Sequence, residues 1–264
     1  VRDRDPLSRD RDSKAGQGRT PRLFLAADLG GPQVTLDSKD AHYLGNVLRL
    51  RKGEQVTVFN GSGDERVATI EKLDRRGAEL GLGARREALP EPTVETTLIQ
   101  ALVKNDAMDL IVQKATELGV HRIYAVRTEH SVVHLDAPRS GRRLAHWEKI
   151  AQSACEQSGR HAPPAIVAYA SLEECLAAAP EEALKIVLDP RAPSGSDTLP
   201  SAAQKICLLV GPEGGFGALD HAQIAAAKFT PLRLGPRTLR AETAAIAACV
   251  LAALQWGDLG TNHA

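Results

Sequence analysis

The period of the hydrophobic pattern changes once along this chain, at Ala88-Leu-Pro-Glu-Pro-Thr93, and that change divides what it can fold into. Two prolines in so short a segment deny it both a helix interior and a central strand, so it reads as a domain boundary. Before it, apolar and polar residues alternate in short runs at 22–26, 33–37, 55–59, 66–70 and 78–82. A repeat of two sends every second side chain to one face, as in half-buried strands. Asn60-Gly-Ser-Gly-Asp64 supplies turn residues between two of these runs. One helix interrupts them, with Ser38 as its cap and Ala41, Leu44, Val47 and Leu48 on one face. Five short strands whose edges need protection predict a small closed β-barrel over 21–90.

Beyond residue 93 apolar strand-like runs alternate with helical ones, which predicts an α/β domain with a mainly parallel sheet over 94–260. Strands are expected at 94–102, 122–127, 184–188, 206–210 and 231–234, and helices at 106–118, 144–158, 171–179, 219–228 and 242–256. Gly119 stands where a helix C-cap glycine belongs. The last helix runs Ala244-Ala-Ile-Ala-Ala-Cys-Val-Leu-Ala-Ala-Leu254 without a charge on any face, so it is expected to be buried all round. A second copy of the chain or a central place in the domain would each cover it; we expect a homodimer formed through this helix.

Residues 1–20 mix both charge signs with almost no apolar side chains and predict a disordered tail. Their opening on Val1 points to an alternative start codon or one set too far upstream. With 33 basic and 33 acidic residues the chain has no overall field to draw it onto nucleic acid, so any RNA contact must be local. Five of the eight histidines lie between 121 and 161, where seven Arg/Lys outnumber four Asp/Glu. That stretch is the candidate basic surface, and a solvated helix face is its plainer reading. Cys155, Cys175, Cys207 and Cys249 are far apart, with no zinc-ligand spacing, so no metal is expected and a reducing cytoplasm fits. No run has the length of a membrane span, and the first residues lack the order of a signal peptide.

Chemistry concentrates in two stretches. The apolar run Ile206–Val210 ends directly in Gly211-Pro-Glu-Gly-Gly-Phe-Gly217. Ligands collect at the carboxyl ends of parallel strands, and glycines there let backbone approach a flat, nucleoside-sized ligand; a simple strand-to-helix turn would look the same. It is neither a phosphate loop nor a dinucleotide fingerprint. The second stretch, Leu234-Gly-Pro-Arg-Thr-Leu-Arg-Ala-Glu-Thr243, crowds Arg237, Arg240 and Glu242 at the entry to a helix otherwise free of charge. Such a cluster needs a ligand or mutual ion pairing.

These two stretches closely resemble the RsmE family of SPOUT RNA methyltransferases. So do Arg22-Leu-Phe24, His42-Tyr-Leu-x-x-Val-Leu-Arg49, Gln113-Lys-Ala-Thr-Glu-Leu-Gly119, Thr128-Glu-His-Ser131, Trp147-Glu-Lys-Ile-Ala151 and Ala154-Cys-Glu-Gln-Ser-Gly-Arg160. The resemblance covers about 22–260. It departs at His130, where arginine is usual, at Asp220, where glutamate is common, and at Ala241, where threonine is more frequent.

The resemblance implies a PUA-like barrel followed by a trefoil-knotted α/β domain, acting as a homodimer. It also implies methyl transfer from S-adenosylmethionine to uridine N3 in small-subunit ribosomal RNA or the assembled subunit. The cofactor pocket would comprise Leu188, Pro190, Gly211, Pro212, Gly214, Gly215, Leu234, Gly235, Leu239 and Thr243. Loss of the N3 proton spreads charge onto O2 and O4, so an arginine there would lower the barrier. Arg22, Arg160 and Arg240 are the candidates, with Glu213 and Glu242 as carboxylates able to take the proton. Glu242 is expected rather to pair with an arginine, Gln157 and Arg160 to meet the substrate with Arg127 and Ser131, and the histidines to face RNA. The rivals are a ribose 2'-O-methyltransferase of the same superfold and a non-catalytic RNA-binding assembly protein. Against the first stands the absence of a Ser-Leu-Asn element before the last helix, where Leu239-Arg-Ala-Glu-Thr243 stands instead.

Overall fold

A computed structural model of the chain describes residues 20–131, 137–193 and 195–260; the expected tail lies outside them except for Thr20. The first part is a five-stranded sheet of β1 (Arg22–Phe24), β2 (Gln33–Leu36), β3 (Gln55–Phe59), β4 (Glu65–Asp74) and β5 (Gly77–Arg86). Its ladder runs β1-β3-β4-β5-β2, with β1 parallel to β3 and the other pairs antiparallel. The ladder is therefore open between β1 and β2 rather than closed by hydrogen bonds as expected. Register shifts in β4 between Arg66 and Ala68 and between Ile70 and Lys72 mark the irregularities that bend such a sheet. Leu23, Val56, Val58, Ile70 and Leu80 fill its interior, together with Leu44 from the helical segment.

That segment departs from its expectation twice. Asp37, not Ser38, caps α1 (Ser38–His42), its carboxylate accepting from the N–H of Lys39 and Asp40. The helix widens at once into a π-helical stretch, Tyr43–Val47. Five residues per hydrogen-bonded ring shift the face, so Val47 ends 58% exposed while Leu44 stays buried.

The second part is a six-stranded sheet with all pairs parallel, in the order β11-β9-β10-β6-β7-β8. Its strands are β6 (Glu95–Ala101), β7 (Arg122–Val126), β8 (Ala165–Tyr169), β9 (Leu184–Leu188), β10 (Lys205–Val210) and β11 (Thr230–Leu232). Helices α2 (Asn105–Glu117), α3 (Ala137–Ser158) and α6 (Ala241–Gln255) cover one face, burying Leu98, Met108, Ile111, Trp147, Leu208 and Ala245 among others. Helices α4 (Leu172–Ala177) and α5 (Ala218–Ala226) cover the other, over Ile99, Val126, Cys207 and Leu209. β8 was not foreseen. It follows Pro163-Pro164 at the sheet edge, and its five residues, Ala165-Ile-Val-Ala-Tyr169, carry no apolar-polar alternation.

From β11 at one edge, the chain returns through residues 233–240 to α6, which packs against α2, β6 and β10 at the centre. Only one face of α6 is buried, through Ala241, Ala245, Ala248, Cys249 and Ala252, while Leu254 is 57% exposed. Burial all round is thus not met within a single chain.

Candidate active site

The carboxyl ends of β9, β10 and β11 open into one cavity of about 670 Å³. Three connections line it: Leu188–Arg191 after β9, Val210–Phe216 after β10, and Leu232–Ala241 after β11. This is the position that parallel α/β topology reserves for ligands, since backbone groups and helix entries converge there. The loop after β10 turns through a Gly215 N–H to Pro212 carbonyl bond of 2.9 Å, with Gly215 at φ +69° and Gly235 opposite at φ +122°. A Cβ on Gly211 would come within 3.1 Å of the Phe216 ring, and one on Gly214 within 3.0 Å of the Cβ of His130. The wall is therefore backbone, with Gly211 and Gly214 packed tightly against Phe216 and His130, which themselves line the cavity. Its volume and its mixture of apolar wall and charged rim fit a nucleoside joined to an amino acid, such as S-adenosylmethionine.

Of the expected cofactor residues, Leu188, Pro190, Gly211, Pro212, Gly214, Gly215, Leu234, Gly235 and Leu239 all line this cavity. Thr243 does not; it is exposed one turn into α6. Glu213 and Arg240 also line it. Arg237, Arg240 and Glu242 form no ion pair with one another or with any other described residue, so the expected pairing of Glu242 is not present. The cost anticipated for that charge cluster is avoided by exposure instead, since Arg237 and Arg240 are open to solvent.

A second set of expected residues lies at the seam between the two sheets. Arg22 is 7% exposed, and its Nη1 donates to Glu65 at 2.5 Å. Nη2 donates to the Arg160 carbonyl at 3.1 Å, and the guanidinium stacks 4.4 Å above the Phe59 ring. Arg160 is equally engaged, donating to Glu91 at 2.7 Å and to the carbonyls of Thr116 and Val120 at 3.1 and 2.7 Å. Neither arginine lines the cavity of its own chain. Glu156 joins this seam, accepting from the Phe24 N–H at 3.0 Å and from the Tyr43 hydroxyl at 2.8 Å. Burial raises the Glu156 carboxyl, and burial with the hydrogen bond to that carboxylate pushes the Tyr43 phenol up to about 12. His121, nearby, is lowered by burial and by the charge of Arg160. Gln157 and Arg127 are exposed.

Ser131 is buried in a turn that closes on itself, its hydroxyl accepting from the Thr128 N–H at 3.1 Å and pairing with the Thr128 hydroxyl at 3.0 Å. The turn presents Glu129 and His130. Glu129 caps α5 by accepting from the N–H of Leu219 at 2.8 Å and of Asp220 at 3.1 Å. Asp220 answers by accepting from the N–H of Glu129 at 3.1 Å and of Gly217 at 3.0 Å. This reciprocal pair fastens the 128–131 turn to the cavity loop. Asp189, expected with Leu188 and Pro190 from the resemblance, lines the cavity as well; His130, Arg191, Phe216 and His221 line it and were not assigned to it from sequence, and only Arg191, beside Pro190, and Phe216, after the glycine loop, carried a signal.

A chain with this fold and this cavity matches the RNA methyltransferase domain over residues 90–253 and the RNA methyltransferase PUA domain over residues 36–82. It is an S-adenosylmethionine-dependent RNA methyltransferase with an N-terminal PUA domain. It is 32% identical over 242 residues to ribosomal RNA small subunit methyltransferase E of Buchnera aphidicola, covering 91% of this chain and 98% of that one. Identity to the Mycobacterium tuberculosis protein of the same description is 30%, over 83% of this chain and 85% of that one. The Neisseria gonorrhoeae ribosomal RNA small subunit methyltransferase E, solved bound to S-adenosyl methionine, superposes with a TM-score of 0.86 at 35% identity, covering 91% and 99%. A Legionella pneumophila methyltransferase solved with that cofactor gives 0.87 at 33%, covering 92% and 100%. The chain belongs to the ribosomal RNA small subunit methyltransferase E family.

Proposed function

We propose that this enzyme methylates N3 of a uridine in small-subunit ribosomal RNA, as a cytoplasmic homodimer. The observation that carries the reading is the meeting of the Gly211–Gly215 loop and the 233–241 segment in one cavity, lined by three exposed arginines, Arg233, Arg237 and Arg240, that form no ion pair among the described residues. When bound, S-adenosylmethionine supplies an already activated methyl group, so the protein has to align the acceptor and manage one proton. Leu188, Pro190, Leu234 and Leu239 would bound the cofactor with the glycine backbone. Arg240, with Arg237, would face the negative charge that spreads over O2 and O4 as N3 is deprotonated.

The exposed apolar side of α6 supports a second copy as its cover, and the return of the chain past the β9–β10 connection supports a trefoil threading. The Trp256 indole N–H, which donates to the Pro200 carbonyl at 2.9 Å, ties that connection to the end of α6. The division between the two parts is proposed at 90–94.

The test is tritiated methyl transfer to small subunits lacking the modification, followed by nuclease digestion and mass analysis of the labelled nucleoside. N3-methyluridine is expected. A ribose-methylated nucleoside would place the chain with the 2'-O-methyltransferases, and absence of S-adenosylmethionine binding in calorimetry would leave a non-catalytic binder.

A further inference from the structure

The loop 211–217 that walls the cavity ends at the N-cap of α5, Gly217. A well-closed helix start carries two reciprocal bonds: the N-cap side chain accepts the N–H of the third helical residue, and that residue's carboxylate accepts the N-cap N–H. Asp220 makes the second of these, its Oδ2 accepting the Gly217 N–H at 3.0 Å. Glycine has no side chain with which to make the first. Glu129, 91 positions before Asp220 in the turn after β7, makes it instead, its Oε2 accepting the Asp220 N–H at 3.1 Å and the Leu219 N–H at 2.8 Å. A Cβ on Gly217 would overlap that carboxylate, so the missing side chain is the space Glu129 occupies. Asp220 returns the contact by accepting the Glu129 N–H at 3.1 Å.

Resting on the placement of S-adenosylmethionine in this cavity, we infer that Glu129 and Asp220 are positioning residues that set the affinity for the cofactor through the shape of the 211–217 loop. Neither side chain lines the cavity, so neither is placed to touch the ligand, but the loop they hold does line it. The turn grips that loop at two points. One is its end, at Gly217 and the first turn of α5. The other is the Gly214 carbonyl, 3.0 Å from Nδ1 of His130; a carbonyl only accepts, so Nδ1 donates. Between the two lies Gly215 at φ +69°, its N–H on the Pro212 carbonyl. A glycine in the left-handed region has many other conformations open to it, and fixing the chain on both sides removes them before the ligand arrives.

The turn is firm enough to serve as that anchor. Its Ser131 hydroxyl accepts the Thr128 N–H at 3.1 Å, both of those residues are buried, and Asp220 is 3% exposed. The donors that Glu129 and Asp220 accept from are backbone N–H groups. The loop therefore needs an acceptor oxygen at each of these two places, and an amide oxygen in the same position meets that need.

Steady-state methyl transfer to unmodified small subunits with S-adenosylmethionine varied, together with calorimetry of its binding, tests the assignment on wild type, Glu129→Ala, Glu129→Gln and Asp220→Asn. Glu129 is exposed, so its truncation opens the Leu219 and Asp220 N–H groups to water and leaves the chain folded. Glu129→Ala should raise KM and Kd for the cofactor about tenfold, with kcat at saturating cofactor within about twofold of wild type. Glu129→Gln and Asp220→Asn should keep both constants within about threefold, because the amide oxygens take the same N–H groups. A role confined to stability would lower kcat in step with the folded fraction and leave KM unchanged, and that result overturns the inference. So does Glu129→Gln as impaired as Glu129→Ala. Gly211→Ala, which alters the wall itself, tests the placement on which the inference rests: unchanged cofactor affinity there would remove the ligand from this cavity, independently of Glu129.

Discussion

The Tyr43 hydroxyl, from the π-helical stretch of the N-terminal part, donates to Glu156 on α3 at 2.8 Å, and the other oxygen of the same carboxylate accepts the Phe24 N–H at 3.0 Å. One side chain of the methyltransferase domain thus satisfies two donors of the PUA domain. Together with the Arg22 bond to the Arg160 carbonyl, it holds the two sheets in a fixed relation. An RNA that touches both parts meets a surface already assembled, so little ordering entropy is lost on binding.

Replacing Glu156 by alanine should therefore cost about 2 to 3 kcal/mol in urea unfolding, because two donors lose a charged acceptor, and Tyr43→Phe about 1 kcal/mol. The pH dependence follows from the raised Glu156 carboxyl. The folded state holds that proton more tightly than the unfolded chain. Stability from this group is therefore fully present below the ordinary carboxylate range and declines as pH rises through the folded value. Glu156→Gln should remove that decline; an unchanged pH profile would contradict the assignment.

Burial pushes the thiols of Cys155, Cys207 and Cys249 up to about 12 and raises Cys175 as well. All four are buried. A thiol reagent at about pH 8 should leave native protein essentially unlabelled and modify all four cysteines in denaturant. Rapid labelling of native Cys249 would show α6 to be loosely seated.

The backbone wall of the cavity makes Gly211 and Gly214 sensitive to a single methyl group. Gly211→Ala must displace the Phe216 ring, and Gly214→Ala must displace His130. Each substitution should weaken S-adenosylmethionine binding about tenfold, equivalent to about 1.4 kcal/mol, with little change in melting temperature. Calorimetry on the folded variants measures it.

Leu254 projects from the uncovered side of α6. Placing a carboxylate there, as Leu254→Glu, should dissociate the proposed dimer at micromolar concentration in analytical ultracentrifugation. A wild-type protein sedimenting as a monomer would remove the proposal.

Much of this architecture is legible in the chain because periodicity is local. The Pro90 and Pro92 break, the repeat of two before it and the helical repeat of α2 follow from nearest neighbours; β1, β2, β3 and α2 fall within two residues of their expected limits, while β4 and β5 each run to ten residues, past the expected 66–70 and 78–82. Two local departures were not legible. Asp37 outcompetes Ser38 as a cap because its carboxylate reaches two N–H groups at once, and the π-helical widening that exposes Val47 leaves no mark in the pattern. β8 escaped because its five residues, although alternately more and less exposed at first, include no charged or amide side chain to mark the outward face.

The sequence by itself determined the two-part plan, the glycine loop after an apolar strand and the charged entry to the last helix. Each is a property of adjacent residues. Tertiary structure alone decided which charges meet. It sent Arg22 and Arg160 to the seam and left Arg237 and Arg240 without an ion pair among the described residues. It also brought His130 across 84 positions to the Gly214 carbonyl. The physical reason is that hydrogen bonds act over about 3 Å. Which groups fall within that distance is set by how strands far apart in the chain order themselves in a sheet.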